Sequence, residues 1–185
     1  MTNELPQHSL ELLIPANQVN NKIDQVSNRI IRDFGKKRPV VLAIKQGGLV
    51  FDRKISENLQ KQDFKFDRGT LGVSSYGMET TSNGSPRVTS SLDVVVRDRI
   101  VLVNEDIVDT GETMKFVSDL LANAGAASVY INTLLWKPSR EKVKVPIYEQ
   151  CFQIPDKFVV GEGIDWKEYY RELCGIWVVN FALTA

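Results

Sequence analysis

Histidine and cysteine are nearly missing from this sequence, and their scarcity removes several chemistries at the outset. The 185 residues hold one histidine and two cysteines. His8 alone leaves a Ser-His-Asp triad or a zinc site almost nothing to be built from. Cys151 and Cys174 are too few for a disulfide framework and form no C-x-x-C pair. An excess of one charge is absent too. Lys plus Arg equals Asp plus Glu at 23 each, which gives no support for a surface built to hold nucleic acid. No apolar run approaches the roughly 20 residues a membrane-spanning helix needs. The start, Met1-Thr-Asn-Glu-Leu-Pro6, lacks the basic and apolar regions of a secretory signal. The expectation is a cytoplasmic chain with no membrane and no nucleic-acid partner. Its length and its 43% hydrophobic content fit one domain with a real core.

What is present is organised around Arg99–Met114. Ile100, Val101, Leu102 and Val103 form a continuous, largely β-branched run, which reads as a strand buried on both faces. Glu105, Asp106 and Asp109 follow at once. Thr110-Gly-Glu-Thr113 then opens an amphipathic helix carrying Phe116, Val117, Leu120 and Leu121. Acids at the carboxyl end of a buried strand, with a Thr/Gly turn into a helix, occupy the edge where open parallel sheets bind ligands.

The two halves of that stretch favour opposite charges. A helix start attracts an anion such as phosphate, whereas the three carboxylates repel one. Both are satisfied if a phosphate lies over Thr110–Thr113 while the acids face hydroxyls, a base proton or Mg²⁺. A phosphorylated sugar has that division of groups. The plainer alternative is a helix start capped by Asp109 or Thr110 with acids favoured by the dipole. It accounts for Asp109 and Glu112 better than for Glu105 and Asp106.

Around this centre, Leu12-Leu-Ile-Pro15 suggests a short edge strand ended by its proline. Asn17 is placed to cap a helix with Val19, Ile23, Val26, Ile30, Ile31 and Phe34 at helical spacing, ended by Gly35. Pro39–Ile44 is a second buried strand, followed by Lys45-Gln46-Gly47-Gly48 and a helix from near Leu49. Two glycines there permit a close backbone approach to a ligand, or only a tight connection. Phe64–Val73 reads as a strand, and the long polar stretch after Ser74-Ser75-Tyr76-Gly77 is functional or disordered. Ser128–Leu135 is another buried strand, with Lys137 just beyond it. In the last third, pattern alone offers a strand over Tyr148–Ile154, a Gly161-Glu-Gly163 turn and a short aromatic helix with Trp166, Tyr169 and Tyr170. That turn lacks the third glycine of a dinucleotide fingerprint. The alternation of strands and helices predicts an α/β fold.

Val103-Asn-Glu-Asp-Ile-Val-Asp-Thr-Gly-Glu-Thr113 resembles the phosphoribosyl-pyrophosphate (PRPP) motif of type I phosphoribosyltransferases, in the form of the hypoxanthine-guanine branch. Ile154-Pro-Asp-Lys-Phe-Val-Val-Gly161 resembles the same branch's hood, and the likeness spans about residues 39–180. The resemblance implies a twisted, mostly parallel sheet flanked by helices. It implies a single domain with a core of about 17–145 and a small hood from about 1–16 and 146–185. It implies transfer of the phosphoribosyl group of PRPP to hypoxanthine or guanine for purine salvage, with Mg²⁺, in a homodimer or homotetramer.

The site residues follow from the same resemblance. Asp109 takes the purine N7 proton, and Glu105 and Asp106 hold the ribose hydroxyls or Mg²⁺. Thr110, Gly111, Glu112 (through its backbone) and Thr113 hold the 5′-phosphate. Lys137 donates to the 6-oxo group, Phe158 stacks on the purine, and Val159 offers backbone groups to its edge. Asp165 lies near a second Mg²⁺, and Arg171 reaches toward pyrophosphate. Lys45, Gln46 and Gly47 form a pyrophosphate loop whose Lys45–Gln46 bond is the candidate for a cis peptide. Ser75 and Tyr76 belong to a loop that closes over the reaction. The chain departs from the pattern at Gln46 and at Glu162, where relatives often carry tyrosine. Two rivals stand beside this reading. A non-catalytic nucleotide-sensing regulator of the same fold would show a basic nucleic-acid face or a degraded acid motif. A Mg²⁺-dependent phosphatase would want D-x-D, whereas Asp106 and Asp109 are three apart.

Overall fold

The structure, a computed structural model, describes residues 5–74 and 86–181. Ser75 and Tyr76, and with them the loop expected to close over the reaction, lie outside the described residues. Six strands form the main sheet in the order β4-β3-β2-β5-β6-β7. They are β2 (Val40–Lys45), β3 (Asp67–Ser74), β4 (Arg87–Ser90), β5 (Ile100–Val108), β6 (Ser128–Trp136) and β7 (Ile147–Gln153). All neighbours run parallel except β4, which is antiparallel to β3 at one edge. Helices α1 (Ala16–Phe34), α2 (Gly48–Lys61) and α3 (Glu112–Asn123) flank it. The α/β expectation holds.

The apolar runs are explained by burial on both faces. Val41 and Leu102 pack into one core with Val19, Ile23, Ile30, Phe51, Ile55 and Leu59 of α1 and α2. Their strand neighbours Val40, Leu42, Val101 and Val103 pack into the other, with Met114, Val117 and Leu121 of α3. Side chains alternate across a strand, so a sheet covered on both sides needs apolar residues at every position. Each such Leu or Ile contributes roughly 1.5–3 kcal/mol by burial.

The two chain ends meet in a second, antiparallel sheet of order β1-β9-β8, made from β1 (His8–Ile14), β8 (Val159–Val160) and β9 (Ile176–Phe181). The resemblance implied a hood made from about 1–16 and 146–185. Residues 147–153, assigned to it from the sequence, form β7 at the edge of the main sheet, paired with β6. Asn17 is also not the cap of α1. The helix starts at Ala16 behind an extended Pro15, whose carbonyl accepts from Val19, and Asn17 accepts from Gln18 in the first turn. The aromatic helix does not form. Lys167, Glu168 and Tyr170 have positive φ, and Trp166 bridges Tyr169 instead. Asp165 Oδ2 accepts from the Glu168 amide at 2.8 Å, the bond a helix N-cap makes, but the left-handed backbone at Lys167, Glu168 and Tyr170 does not continue into a helix. Among the described residues no helix is long and apolar enough to cross a membrane.

Candidate active site

The candidate site opens where β2 and β5 part. Their pairing ends at Ala43 and Asn104, while β5 continues to Val108 beside β6. Glu105 and Asp106 therefore sit within the last residues of β5, and Asp109 follows directly after its end. Into the gap comes the turn after β2. A Cβ on Gly48 would stand 2.6 Å from the Asn104 carbonyl oxygen, and one on Gly47 would collide with the Asp106 carboxylate. Close backbone approach, not turn geometry alone, is what these glycines provide. The Lys45–Gln46 peptide is cis, as the resemblance implied.

Alternation along β5 sends its two adjacent acids to different cavities. Glu105 lines a pocket of about 310 Å³ with Asp109, Thr110, Gly111, Glu112, Thr113 and Arg140. Asp106 lines one of about 450 Å³ with Gln46, Gly47, Lys137, Phe158, Val159, Asp165 and Arg171. Asp109 and Arg140 line both, so the two are adjoining halves of one site. Lys45 faces a third opening of about 640 Å³, which shares Gln46 and Asp165 with the second. Every expected site residue within the described range falls in these three spaces.

The smaller pocket ends on the first turn of α3. Gly111 takes φ 82°, and a side chain there would collide with the Val143 carbonyl. Lys142 and Val143 both donate to the Thr110 carbonyl at 3.0 Å, which pins the turn. A helix start pointing into a pocket favours an anion through its amides and its dipole. Thr110 donates its hydroxyl to Glu112 Oε2 at 3.1 Å, so the Glu112 carboxylate rests on the lip.

The acids above it are held at some cost. Glu105 is 8% exposed, and among the described residues its Oε2 has no hydrogen-bond partner. Burial, and then the Asp106 charge beside it, push its carboxyl well above the ordinary glutamate range. Burial likewise pushes Asp106 up to about 6; backbone amides and Arg171 oppose this, while Asp165 adds to it. An orphaned buried carboxylate oxygen calls for a donor or a cation. Among the described residues no three acidic, histidine or cysteine side chains converge enough to hold a metal by themselves. Glu105 and Asp106 could hold a Mg²⁺, which takes one or two carboxylates plus water and substrate oxygens.

In the larger pocket Lys137 is 7% exposed, anchored by its amide to the Val108 carbonyl at 3.0 Å, with Nζ 3.5 Å from Asp109 Oδ2. A lysine this buried is not surface solvation. Phe158 is 43% exposed, its ring edge-on to Trp166. Val159 belongs to β8, the edge strand of the hood sheet, which leaves one side of its backbone unpaired by strands. Arg171 pairs with Asp165 at 2.9 Å and donates to the Gly163 carbonyl at 3.3 Å.

Sequence reasoning missed Arg140 and Asp156. Arg140 Nε donates to Asp109 Oδ1 at 2.6 Å, and its Nη1 lies 3.3 Å from Asp156 Oδ2. It lies three residues past Lys137 on the Pro138–Arg140 turn. A second cation at that spacing was the available signal.

Residues 15–167 match the family described as phosphoribosyl transferase domain. The chain is 35% identical over 172 residues to a hypoxanthine phosphoribosyltransferase of Haemophilus influenzae, covering 91% of this chain and 94% of that one. It is 32% identical over 178 residues to a hypoxanthine-guanine phosphoribosyltransferase of Bacillus subtilis, covering 96% and 97%. Among solved structures it is similar to a hypoxanthine-guanine phosphoribosyltransferase of Bacillus anthracis, with a TM-score of 0.84, 32% identity and coverage of 93% and 99%.

Proposed function

We propose, from the premise that this chain belongs to the phosphoribosyltransferase family, that it joins a 6-oxopurine to C1 of PRPP and releases pyrophosphate. The purine is hypoxanthine or guanine, and the role is salvage of the free base into IMP or GMP. The observation that carries this reading is the order of groups across the two joined pockets. The Thr110–Thr113 turn at the start of α3 lies on one side of Asp109, and a buried lysine with an exposed phenylalanine lies on the other.

The geometry supports a role for each residue. The amides and hydroxyls of Thr110–Thr113 take the 5′-phosphate, after the Glu112 carboxylate turns off Thr110. Glu105 and Asp106 accept from the ribose hydroxyls, which gives Glu105 Oε2 the partner it lacks. Breaking the bond at an anomeric carbon builds positive charge on the sugar ring, as in glycoside chemistry, and the carboxylates beneath it stabilise that charge. Asp109 accepts the purine N7 proton. Its Oδ2 keeps lone pairs beyond the 3.5 Å approach of Lys137, and Oδ1 is held by Arg140. Lys137 has donors only and so selects a 6-oxo over a 6-amino group. Phe158 covers the ring face, and Lys45–Gly47 with Arg171 face the pyrophosphate side. Glu105, Asp106 and Asp165 are the residues that would hold Mg²⁺, which neutralises pyrophosphate as it leaves.

A homodimer or homotetramer in the cytoplasm belongs to the same proposal. A spectrophotometric assay with hypoxanthine, guanine or xanthine plus PRPP and Mg²⁺ tests the reaction. Turnover of hypoxanthine or guanine supports it, and none with any of the three rejects it in favour of a nucleotide-sensing protein.

A further inference from the structure

One buried carboxylate has no part in that chemistry. Asp52, on α2, is fully buried, and so is Asn104 on β5. Asn104 Nδ2 donates to Asp52 Oδ1 at 2.8 Å, and Arg68 Nε of β3 donates to Asp52 Oδ2 at 2.8 Å. Asn132 Nδ2 of β6 donates to Asn104 Oδ1 at 2.9 Å. Four side chains from four elements thus form one line under the sheet. Burial raises the Asp52 carboxyl from its ordinary value, and Asn104 and Arg68 oppose the shift. Apolar residues of similar volume commonly serve a core at least as well as a buried ionic group. Stability alone is therefore a poor explanation of this network.

Its position gives a better one. Asp52 lies four residues beyond Gly48, on the same face of α2. Gly48 itself rests on the backbone of Asn104 and Glu105, and Gly47 on the Asp106 carboxylate. At Gly48 the start of α2 thus lies directly against the β5 backbone. The nearby apolar contacts of Phe51 and Ile55 are non-directional. The Asp52–Asn104 bond is directional, so it fixes how far the helix slides and turns on the strand. Resting on the PRPP reading above, we infer that Asp52 and Asn104 are positioning residues that hold Gln46–Gly48 in register with Asp106 to receive the donor's pyrophosphate. A displacement of about 1 Å in such a group can cost about a hundredfold in rate.

Asn104→Leu removes the bond at similar volume, and Asn104→Ser does so more mildly should the first not fold. A double variant, Asp52→Asn together with Asn104→Asp, restores the bond reversed. The amide now on α2 would accept from Arg68 and donate to the carboxylate now on β5, which still accepts from Asn132. Each protein is assayed for kcat and for KM of PRPP and of hypoxanthine, and its backbone amides over 45–50 are followed by hydrogen exchange. The expected result for Asn104→Leu is a PRPP KM raised about tenfold, the scale of one charge-assisted hydrogen bond. The hypoxanthine KM should stay within about twofold, amides 46–50 should exchange about tenfold faster, and the double variant should recover most of both losses. Either the PRPP KM or the local exchange staying at the wild-type value overturns the inference, as does a uniform rise in exchange across the whole sheet. A wild-type protein inactive with PRPP rejects the proposed reaction, while the hydrogen exchange still decides the positioning.

Discussion

Glu105→Gln should stabilise the ligand-free protein while disabling it. The wild-type carboxylate is nearly buried, one oxygen has no partner among the described residues, and the Asp106 charge adjoins it. An ion removed from water carries a penalty of several kcal/mol, and a neutral amide in the same place keeps about 1–3 kcal/mol for its own unpaired atom. The net gain is about 1–2 kcal/mol, or about 2–8 °C in Tm for a chain of this size. The sign depends on pH. The folded-state pKa of Glu105 is raised, so the charge penalty is in force above that pKa. As pH falls through it toward the ordinary glutamate range, the folded protein takes up a proton that the unfolded chain does not, and wild-type stability rises. Differential scanning calorimetry at pH 8 and pH 5, without ligand, should therefore show a large advantage for Gln at pH 8 and a much smaller one at pH 5. At the same time kcat/KM for PRPP should fall about 10–150-fold, for the lost hydrogen bond from charge to ribose hydroxyl. A variant melting at or below wild type at pH 8, or with equal gain at both pH values, refutes the reasoning.

Asp109→Asn should lower kcat about 10²–10⁴-fold, the usual worth of a general base, with IMP affinity by calorimetry changing little; unchanged turnover removes Asp109 from the mechanism. Lys137→Gln should raise the hypoxanthine KM about tenfold or more and leave the PRPP KM near wild type, since the side chain shares a pocket with Phe158, where the base is proposed to lie; equal losses for both substrates would count against its assignment. Gly111→Ala should destabilise by about 1–3 kcal/mol, because it combines a left-handed backbone with a collision at Val143; an unchanged Tm would show that the turn is not pinned as described.

Strand positions were legible because burial on both faces writes an unbroken apolar run, and the acids on β5 because so many carboxylates at one strand end are hard to place otherwise. What was not legible is what distant segments do to one another. Arg140 and Asp109 are 31 residues apart, and only the Pro138–Arg140 turn brings them to 2.6 Å. Asn104 reads in sequence as the end of an apolar run; its pairing with Asp52 depends on how α2 lies across β5. The aromatic stretch Trp166–Tyr170 has helical spacing, yet Lys167, Glu168 and Tyr170 take left-handed backbone and Trp166 bridges Tyr169, a backbone path that spacing cannot express. Residues 147–153 look like the rest of the C-terminal third, but their register with β6 makes them part of the main sheet.

The most direct test of the central claim is a crystal structure of the protein with IMP. The 5′-phosphate should lie over the amides of Thr110–Thr113, the ribose hydroxyls at Glu105 and Asp106, and the hypoxanthine ring against Phe158 with its 6-oxo group at Lys137 Nζ. A phosphate lodged anywhere else, or a base turned away from Lys137, would contradict the account.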